Sequence, residues 1–194
     1  MKKIAILIDG GYLRAIAQNA GHVYNVDFIE KFSQKCSLPD EEVLRVLYYD
    51  CAPYEGVQRQ PVSGTLRQFH AADQWLVELS RKNLFAVRRG VLKFRGFKPK
   101  QIPIAGGAAL QDSDFKPDFE QKGVDMRIGL DITLYSSNHA VDRIVLVSND
   151  TDCLPAMKLG RRSGLQIVIV ELPTCHTAPE LLSHSDYKRQ VAWP

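Results

Sequence analysis

Short, unbroken runs of apolar and mostly β-branched residues recur along this chain. Such runs are typical of strands that are covered on both faces inside a parallel sheet. Segments with the apolar spacing of a helix follow most of them. This alternation predicts an α/β fold of three layers, α/β/α, with a mainly parallel central sheet. The predicted strands cover residues 4–8, 43–49, 144–147 and 166–170.

Helices are predicted where apolar residues recur every three or four positions. The longest is an amphipathic helix over residues 66–82, in which Leu66, Phe69, Leu76 and Leu79 share one face. Another begins near Gly123. The remaining predicted helices cover residues 12–19, 27–36, 153–162 and 179–183.

Four segments follow a different pattern. Residues 53–61 are predicted to form a polar loop, and residues 100–119 an irregular surface loop because prolines and a glycine pair interrupt them. Between these loops, residues 85–97 form two alternating runs that meet near Gly90, which predicts a strand entering a β-hairpin extension. The residues after 183 are predicted to be an irregular tail.

Aspartates stand directly after three of the predicted strands. Asp9 and Asp50 follow the first two, and Asp150 and Asp152 follow residues 144–147 in the sequence S-N-D-T-D. Ligands of open α/β sheets bind beyond the carboxyl ends of the strands, so these carboxylates are expected to share one crevice. The plainer interpretation is that Asp9 and one of the later pair are only helix N-caps, a frequent role of aspartate.

Two further aspartates lie in the helix that begins near Gly123. Asp125 and Asp131 are six positions apart, so they point about 120° away from each other and do not share a face. Asp125, in the first turn, is expected to reach the crevice. Asp131, like Asp50, is expected to support the crevice acids from behind, or else to be a buried acid that is satisfied elsewhere.

Several acids in one crevice would repel one another unless a cation lay between them. Oxygen ligands select hard ions, so the sequence predicts bound Mg²⁺ or Mn²⁺ and not zinc. The five histidines are dispersed and offer no alternative site. A nucleophile elbow, a Walker loop and a dinucleotide fingerprint are all missing from the sequence. The predicted chemistry is attack by a metal-activated water.

A run of basic residues is the best candidate surface for nucleic acid. Residues 81–100 contain eight lysines and arginines and no acid, interleaved with Phe85, Phe94 and Phe97. Basic side chains bind phosphates, and exposed aromatic rings stack on bases. Alternatively, lysine and arginine only face outward from an edge strand and protect it from aggregation. The residues expected to hold the nucleic acid are Arg88, Arg89, Lys93 and Arg95.

Composition sets limits on the class of protein. A chain of 194 residues with 45% apolar residues fits one globular domain over residues 1–194. The net charge of +3 is too small to argue for a nucleic-acid partner by itself. The first apolar run is too short for a signal peptide or a membrane span, and four scattered cysteines indicate a reducing cytoplasm.

Four short motifs, in this order, resemble a known family. I-D-G-G-Y-L at 8–13, Y-Y-D at 48–50, K-G-V-D at 122–125 and S-N-D-T-D at 148–152 resemble the NYN domain, specifically its LabA-like branch, within the PIN-like ribonuclease superfamily. The resemblance extends over about residues 2–186. It implies a PIN-like fold and metal-dependent cleavage of RNA, for which single-stranded RNA is the expected substrate.

The resemblance also implies roles for individual residues. Those that match the catalytic, metal-holding cluster of the family are Asp9, Asp125, Asp150 and Asp152. Lys122 matches a lysine that would hold a phosphate, and Ser148 and Asn149 are expected to orient the scissile group. The family commonly has glycine at the position of Asn149, serine at Thr151 and an aromatic or apolar residue at Cys153, and none of these departures removes an acid.

Other functions stay open at the level of sequence. The same fold would serve an RNA-binding or regulatory module that does not cleave. A phosphatase of the haloacid dehalogenase class needs a second acid two positions after the first, where Gly11 stands, and a response-regulator receiver needs paired acids there as well. The acids do not distinguish RNA from DNA. Exposed aromatic residues of segment 85–97 are equally compatible with a homodimer surface.

Overall fold

Strands and helices alternate along much of the chain. The structure, a computed structural model, describes residues 1–104, 106–107, 109–173 and 175–194. Its strands are β1 (Lys2–Asp9), β2 (Glu41–Cys51), β3 (Gly56–Arg59), β4 (Leu66–Phe69), β5 (Phe85–Pro99), β6 (Phe115–Lys122), β7 (Arg143–Val147), β8 (Gln166–Glu171) and β9 (Tyr187–Gln190). Its α-helices are α1 (Gly10–Asn19), α2 (Val26–Lys35), α3 (Gln74–Ser80), α4 (Val124–Asn138), α5 (Leu154–Arg162) and α6 (Pro179–Ser183).

A seven-stranded sheet forms the centre of the fold, in the order β6-β5-β2-β1-β7-β8-β9. Neighbouring strands are parallel except β5 and β6, which are antiparallel. Helices pack on both faces of this sheet. The predicted α/β/α fold with a mainly parallel sheet is therefore confirmed.

Burial on both faces explains why the core strands are unbroken apolar runs. Along β1, Ile4, Ile6 and Ile8 face the layer that contains α1 and α2, whereas Ala5 and Leu7 face α4 and α5. All five side chains are completely buried. Since β1 lies between β2 and β7 in parallel register, the acids that follow these three strands reach the same edge of the sheet.

The predicted long helix over residues 66–82 is wrong in its first half. Leu66–Phe69 form β4, which pairs with β3 inside the segment predicted to be a polar loop, and only Gln74–Ser80 are helical. Leu76 and Leu79 are completely buried, whereas Leu66 is 65% exposed. Phe69 packs across the small sheet against Tyr54. Apolar spacing over so short a segment is compatible with either structure, and tertiary contacts decide between them.

The predicted pivot at Gly90 is a change of partner along one continuous strand. The first part of β5 pairs with β2, and residues 91–99 continue as an extension that pairs with β6. We call residues 91–99 together with β6 the arm. The prediction of an irregular loop over residues 100–119 is wrong from Phe115 onward, where β6 begins. Ala105 and Ala108 of that segment lie outside the described residues.

The prediction of an irregular tail is also wrong. Tyr187–Gln190 form β9, the edge strand beside β8. Arg189 reaches from β9 to the buried carboxylate of Glu41 at the start of β2. A single four-residue edge strand carries too little apolar alternation to be recognised in the sequence, and this buried ion pair fixes it to the sheet.

Candidate metal centre

Three carboxylates meet beyond the carboxyl ends of the strands. One oxygen each of Asp125, Asp150 and Asp152 lies within 4.8 Å of the other two. Opposite ligands of one Mg²⁺ ion are about 4 Å apart, so a small inward movement would bring these oxygens around a single hard cation. Asp125 and Asp150 are half-buried and Asp152 is exposed, so the cluster is open to solvent on one side.

Local structure brings these three side chains together. Gly123 has a positive φ of 77°, which lets the chain turn sharply from β6 into α4 and places Asp125 in the first turn of that helix. Asp150 caps the short 3₁₀ turn that leads into α5, where its carboxylate accepts the backbone N–H of Asp152 at 2.8 Å. The N-cap interpretation therefore holds for Asp150, but capping occupies only one of its two oxygens.

Asp9 lies next to this cluster and is not one of its three close members. It ends β1, is 8% exposed, and accepts the backbone N–H of Tyr12 at 3.1 Å as the N-cap of α1. Burial, together with the charges of Asp125 and Asp50, raises the pKa of Asp9 to about 6. Asp9 and Asp150 also line a common open depression of about 410 Å³.

The raised pKa of Asp9 predicts that the metal-free protein loses stability as the pH rises. An unfolded aspartate has a pKa near 3.9, so the folded state binds the proton more tightly. The stability that protonated Asp9 contributes is fully present below about pH 4 and is lost as the pH rises through about 6. The loss amounts to about 2–3 kcal/mol. Denaturant unfolding of the metal-free wild type and of Asp9→Asn, between pH 4.5 and 7.5, measures it as the difference between the two curves. If the difference in unfolding free energy between the two proteins did not change with pH, the raised pKa of Asp9 would be contradicted.

Burial and mutual repulsion act on the clustered acids as well. Burial raises the pKa of Asp125, and the charge of Asp150 and then that of Asp152 raise it further. Cys153 is completely buried beneath them, and the pKa of its thiol is raised to about 12 by burial and by the neighbouring acids. A divalent cation would relieve this repulsion, so the donor set fits the predicted Mg²⁺ or Mn²⁺.

Asp50 and Asp131 each have their own cationic partner and stand apart from the three carboxylates. Asp50, 1% exposed, accepts a hydrogen bond from Arg14 Nη2 at 2.6 Å. Asp131 accepts two from Arg88, at 3.1 and 3.2 Å, and one from Tyr49 Oη at 2.8 Å. Asp131 thus matches the alternative of a buried acid that is satisfied elsewhere, and Asp50 shapes the surface next to the site.

Ser148 and Asn149 are engaged in the loop that carries the acids. Ser148 is 1% exposed, and its Oγ accepts the backbone N–H of Asp150 at 3.1 Å. The side-chain amide of Asn149 donates to the carbonyl of His176 and accepts the N–H of Ala178. Both side chains therefore hold the loop in place, and Asn149 also lines the depression.

Two of the four residues expected to hold the nucleic acid are ion-paired. Arg88 is held by Asp131, and Arg89 lies 2.7 Å from Asp73. Because each guanidinium is already paired with a carboxylate, the two arginines attract a phosphate less strongly than the sequence alone indicated.

The arm keeps an excess of positive charge. Glu120 lies among Lys93, Arg95 and Lys122, and these cations lower its pKa, with the hydrogen bond from Lys122 as the largest cause. One carboxylate thus faces three cations. Lys122, which ends the arm, is only three residues from Asp125, so the positive surface adjoins the acidic cluster.

The aromatic residues of the basic segment are covered by other rings. Phe85 is 7% exposed and belongs to the core. Phe94 stacks on Tyr54 and meets Phe97 and Phe119 edge-on. These contacts, with that of Phe69 on Phe94, join the small β3–β4 sheet to the arm, so the half-buried rings of Phe94 and Phe97 help to stabilise the extension.

Two side chains that line the depression were not identified from the sequence. Tyr12 Oη donates a hydrogen bond to Cys175 Sγ at 3.3 Å, and both residues lie beside Asp9 and Asp150. Tyr12 follows the glycine pair in the first motif, but nothing near Cys175 marks it as a neighbour of the acids. Only the parallel sheet, which brings the ends of β1, β7 and β8 together, places it there.

Comparisons with known proteins show the fold and the family of the chain. Within the described residues, none of the helices has the length and apolarity required to span a membrane. No curated protein matches the chain. A crystal structure of a protein of unknown function from Vibrio parahaemolyticus RIMD 2210633 has a similar fold, with a TM-score of 0.55 and 20% identity over 97% of this chain and 92% of that chain. The family model of the NYN domain matches residues 3–190. The chain therefore belongs to the NYN domain family, within the PIN-like superfamily.

Proposed function

We propose that this protein is a metal-dependent ribonuclease that hydrolyses the phosphodiester bonds of single-stranded RNA. The proposal rests on the close approach of three carboxylates at the carboxyl edge of the sheet, with Asp9 buried beside them. NYN domains are generally nucleases and typically depend on a divalent metal. The residues proposed to hold Mg²⁺ or Mn²⁺ are Asp9, Asp125, Asp150 and Asp152.

Each acid has a separate task in this mechanism. Asp125, Asp150 and Asp152 would hold the ion, which when bound supplies a water of lowered pKa and stabilises the negative charge that develops on the phosphate. Asp9 uses Oδ1 to accept the N–H of Tyr12, and its Oδ2 would bind the ion or an ordered water. The ion would also screen these carboxylates from the phosphate of the substrate.

The surroundings of the site are suited to an RNA strand that continues past the cleaved bond. The cluster is open to solvent at Asp152, and no described element closes over that residue. The positive face of the arm, with Lys93, Arg95 and Lys122, would hold the phosphates on one side. An open site with a lateral phosphate surface accommodates an internal bond of RNA, so we propose endonucleolytic cleavage.

We expect the wild-type protein to cut an end-labelled single-stranded RNA in the presence of Mn²⁺ or Mg²⁺ and to leave it intact in chelator. A circular RNA of the same sequence should be opened, because an endonuclease requires no free end. A matched DNA in the same assay measures the preference for the sugar. Binding of RNA without cuts on any substrate would contradict the nuclease and support the non-catalytic RNA-binding module.

A further inference from the structure

A groove of about 450 Å³ lies along α1, the helix that follows Asp9. Tyr12 and Ile16 of that helix face the depression next to the acids, whereas Arg14 and Gln18 face the groove. Trp75 of α3 forms its opposite side. We propose that this groove binds a base of the RNA strand that is cleaved at the carboxylates, a proposal that rests on the proposed function.

The walls of the groove are flat and fixed in orientation. The guanidinium of Arg14 lies over the ring of Trp75, with Cζ 5.8 Å from the ring centroid. Asp50, which the carboxylate cluster does not use, holds that guanidinium at 2.6 Å. Because guanidinium planes and aromatic rings are the surfaces on which unstacked RNA bases are bound, Arg14 and Trp75 are suited to a base, and Asp50 is the residue that positions Arg14.

Buried neighbours support the ring of Trp75 from behind. It meets the ring of Tyr48 edge-on, with centroids 6.1 Å apart. Tyr48 is completely buried and shares a hydrogen bond of 2.8 Å with Tyr24, which also lines the groove. A supported ring loses little conformational entropy when a base stacks on it, and this favours binding.

The rim of the groove carries hydrogen-bonding groups that the fold does not use. In the described part of the chain, the side chains of Gln18 and Glu78 have no hydrogen-bond or ion-pair partner. Oδ1 of Asn25 accepts the N–H of Phe28, so the NH₂ group of Asn25 remains available to donate. Donors and acceptors of this kind match the edges of a base, whereas a purely apolar guest would leave them unpaired.

The groove continues toward the acids. A contiguous hollow shares Arg14, Gln18 and Trp75 and extends to Gly11, two residues after Asp9. Gln121, next to Lys122 of the arm, lies on its other side. From Gly11 to Gln18 the helix rises about 10 Å, so a base in the groove belongs to a nucleotide near the cleaved bond. This continuity favours a nucleic-acid strand over an unrelated small molecule.

Fluorescence of Trp75 tests the proposal directly. The chain has two tryptophans, and Trp193→Phe removes the other while keeping a ring against Phe28 and Phe32. In Asp150→Asn/Trp193→Phe without added metal, a short single-stranded oligoribonucleotide should bind uncut and quench the remaining emission. An abasic oligomer of the same length should bind without quenching. Equal quenching by both oligomers, or quenching by neither, would overturn the base-binding groove.

A pair of substitutions gives a second readout. Trp75→Leu should raise the KM for RNA roughly tenfold to a hundredfold with little change in kcat, and Trp75→Phe should restore most of the loss. The rise in Tm on adding Mn²⁺ should be the same in both variants as in wild type, because the acids are unaffected. A KM equal to that of wild type in Trp75→Leu would contradict the proposal even if the nuclease is real. Base-dependent quenching in a protein that never cuts RNA would keep the groove and reject the nuclease.

Discussion

Replacing Asp150 with asparagine is expected to reduce RNA cleavage by more than about 100-fold, because the loss of a group that only supports a metal ligand already costs 10–100-fold. Asp150 contributes one of the three close oxygens, with Asp125 and Asp152. Asparagine keeps the oxygen that accepts the N–H of Asp152, so the turn into α5 should persist. Single-turnover cleavage of labelled RNA with saturating Mn²⁺ measures the change.

The same variant separates loss of metal binding from loss of fold. Without metal it should be at least as stable as wild type, because one of the charges that raise the pKa of Asp125 is gone. The increase in Tm that Mn²⁺ gives to a protein with a binding site should be smaller or missing. Affinity for uncut RNA, measured without metal, should change by less than about threefold, since the arm and the groove are untouched.

Asp40→Asn is the matched control. Asp40 is exposed, and its side chain makes no hydrogen bond or ion pair in the described part of the chain, so this substitution removes the same charge at a position away from the site. Its cleavage rate should equal that of wild type. Cleavage by Asp150→Asn at a rate comparable to that of Asp40→Asn would reject the carboxylate cluster as the catalytic site.

The position of the carboxylates could be predicted from the sequence because it depends on few physical facts. Unbroken apolar runs identified β1 and β7 as buried parallel strands, the largely apolar residues 43–49 identified β2, and parallel strands end at one edge. The period of a helix separated Asp125 from Asp131 by about 120°. Asp125 lies beside Asp150, whereas Asp131 accepts a hydrogen bond from Tyr49 on a different side of α4.

The surroundings of the site could not be predicted in the same way. β3, β4, β6 and β9 are short or lie at an edge, so their half-exposed residues lack the alternation that marks a strand. Ion pairs such as that of Arg88 with Asp131 join residues 43 positions apart, and they decide how much positive charge is left for RNA. The contact of Arg14 with Trp75 likewise depends on how α1 and α3 pack, which no local pattern encodes.

A second large effect is expected at the opposite edge of the sheet, where Glu41 joins three strands. Its carboxylate, at the start of β2, is completely buried. It accepts hydrogen bonds from Arg143 of β7 and from both terminal nitrogens of Arg189 of β9, the latter at 2.8 and 2.9 Å. The side chains of both arginines are only 10% exposed. At this end of the sheet, away from the candidate metal centre, the buried cluster of Glu41 with the two arginines takes the place of apolar packing.

Glu41→Ala is expected to destabilise the protein by about 3–5 kcal/mol, because removal of one partner leaves buried charges without compensation. Arg143 would keep Gln166 as a partner, and among the described residues Arg189 would keep only the backbone carbonyl of Cys36. β9 should therefore loosen first. Hydrogen exchange should accelerate at Tyr187–Gln190 before it changes in β1, and denaturant unfolding gives the total loss.

The pH dependence follows from the sign of the shift at Glu41. Burial raises its pKa, but the hydrogen bonds from Arg189, from the N–H of Leu38 and from Arg143 outweigh burial and lower the pKa below the ordinary value. Its contribution to stability is therefore complete above the pKa of an unfolded glutamate, near 4.3, and is lost as the pH falls through the lower folded value.

Glu42→Ala, at the exposed neighbouring position, is the control and should cost less than about 0.5 kcal/mol. Equal losses in the two variants would show that the buried cluster does not hold β9, whereas a loss confined to Glu41→Ala would mean that this edge of the sheet depends on charge rather than on apolar contact.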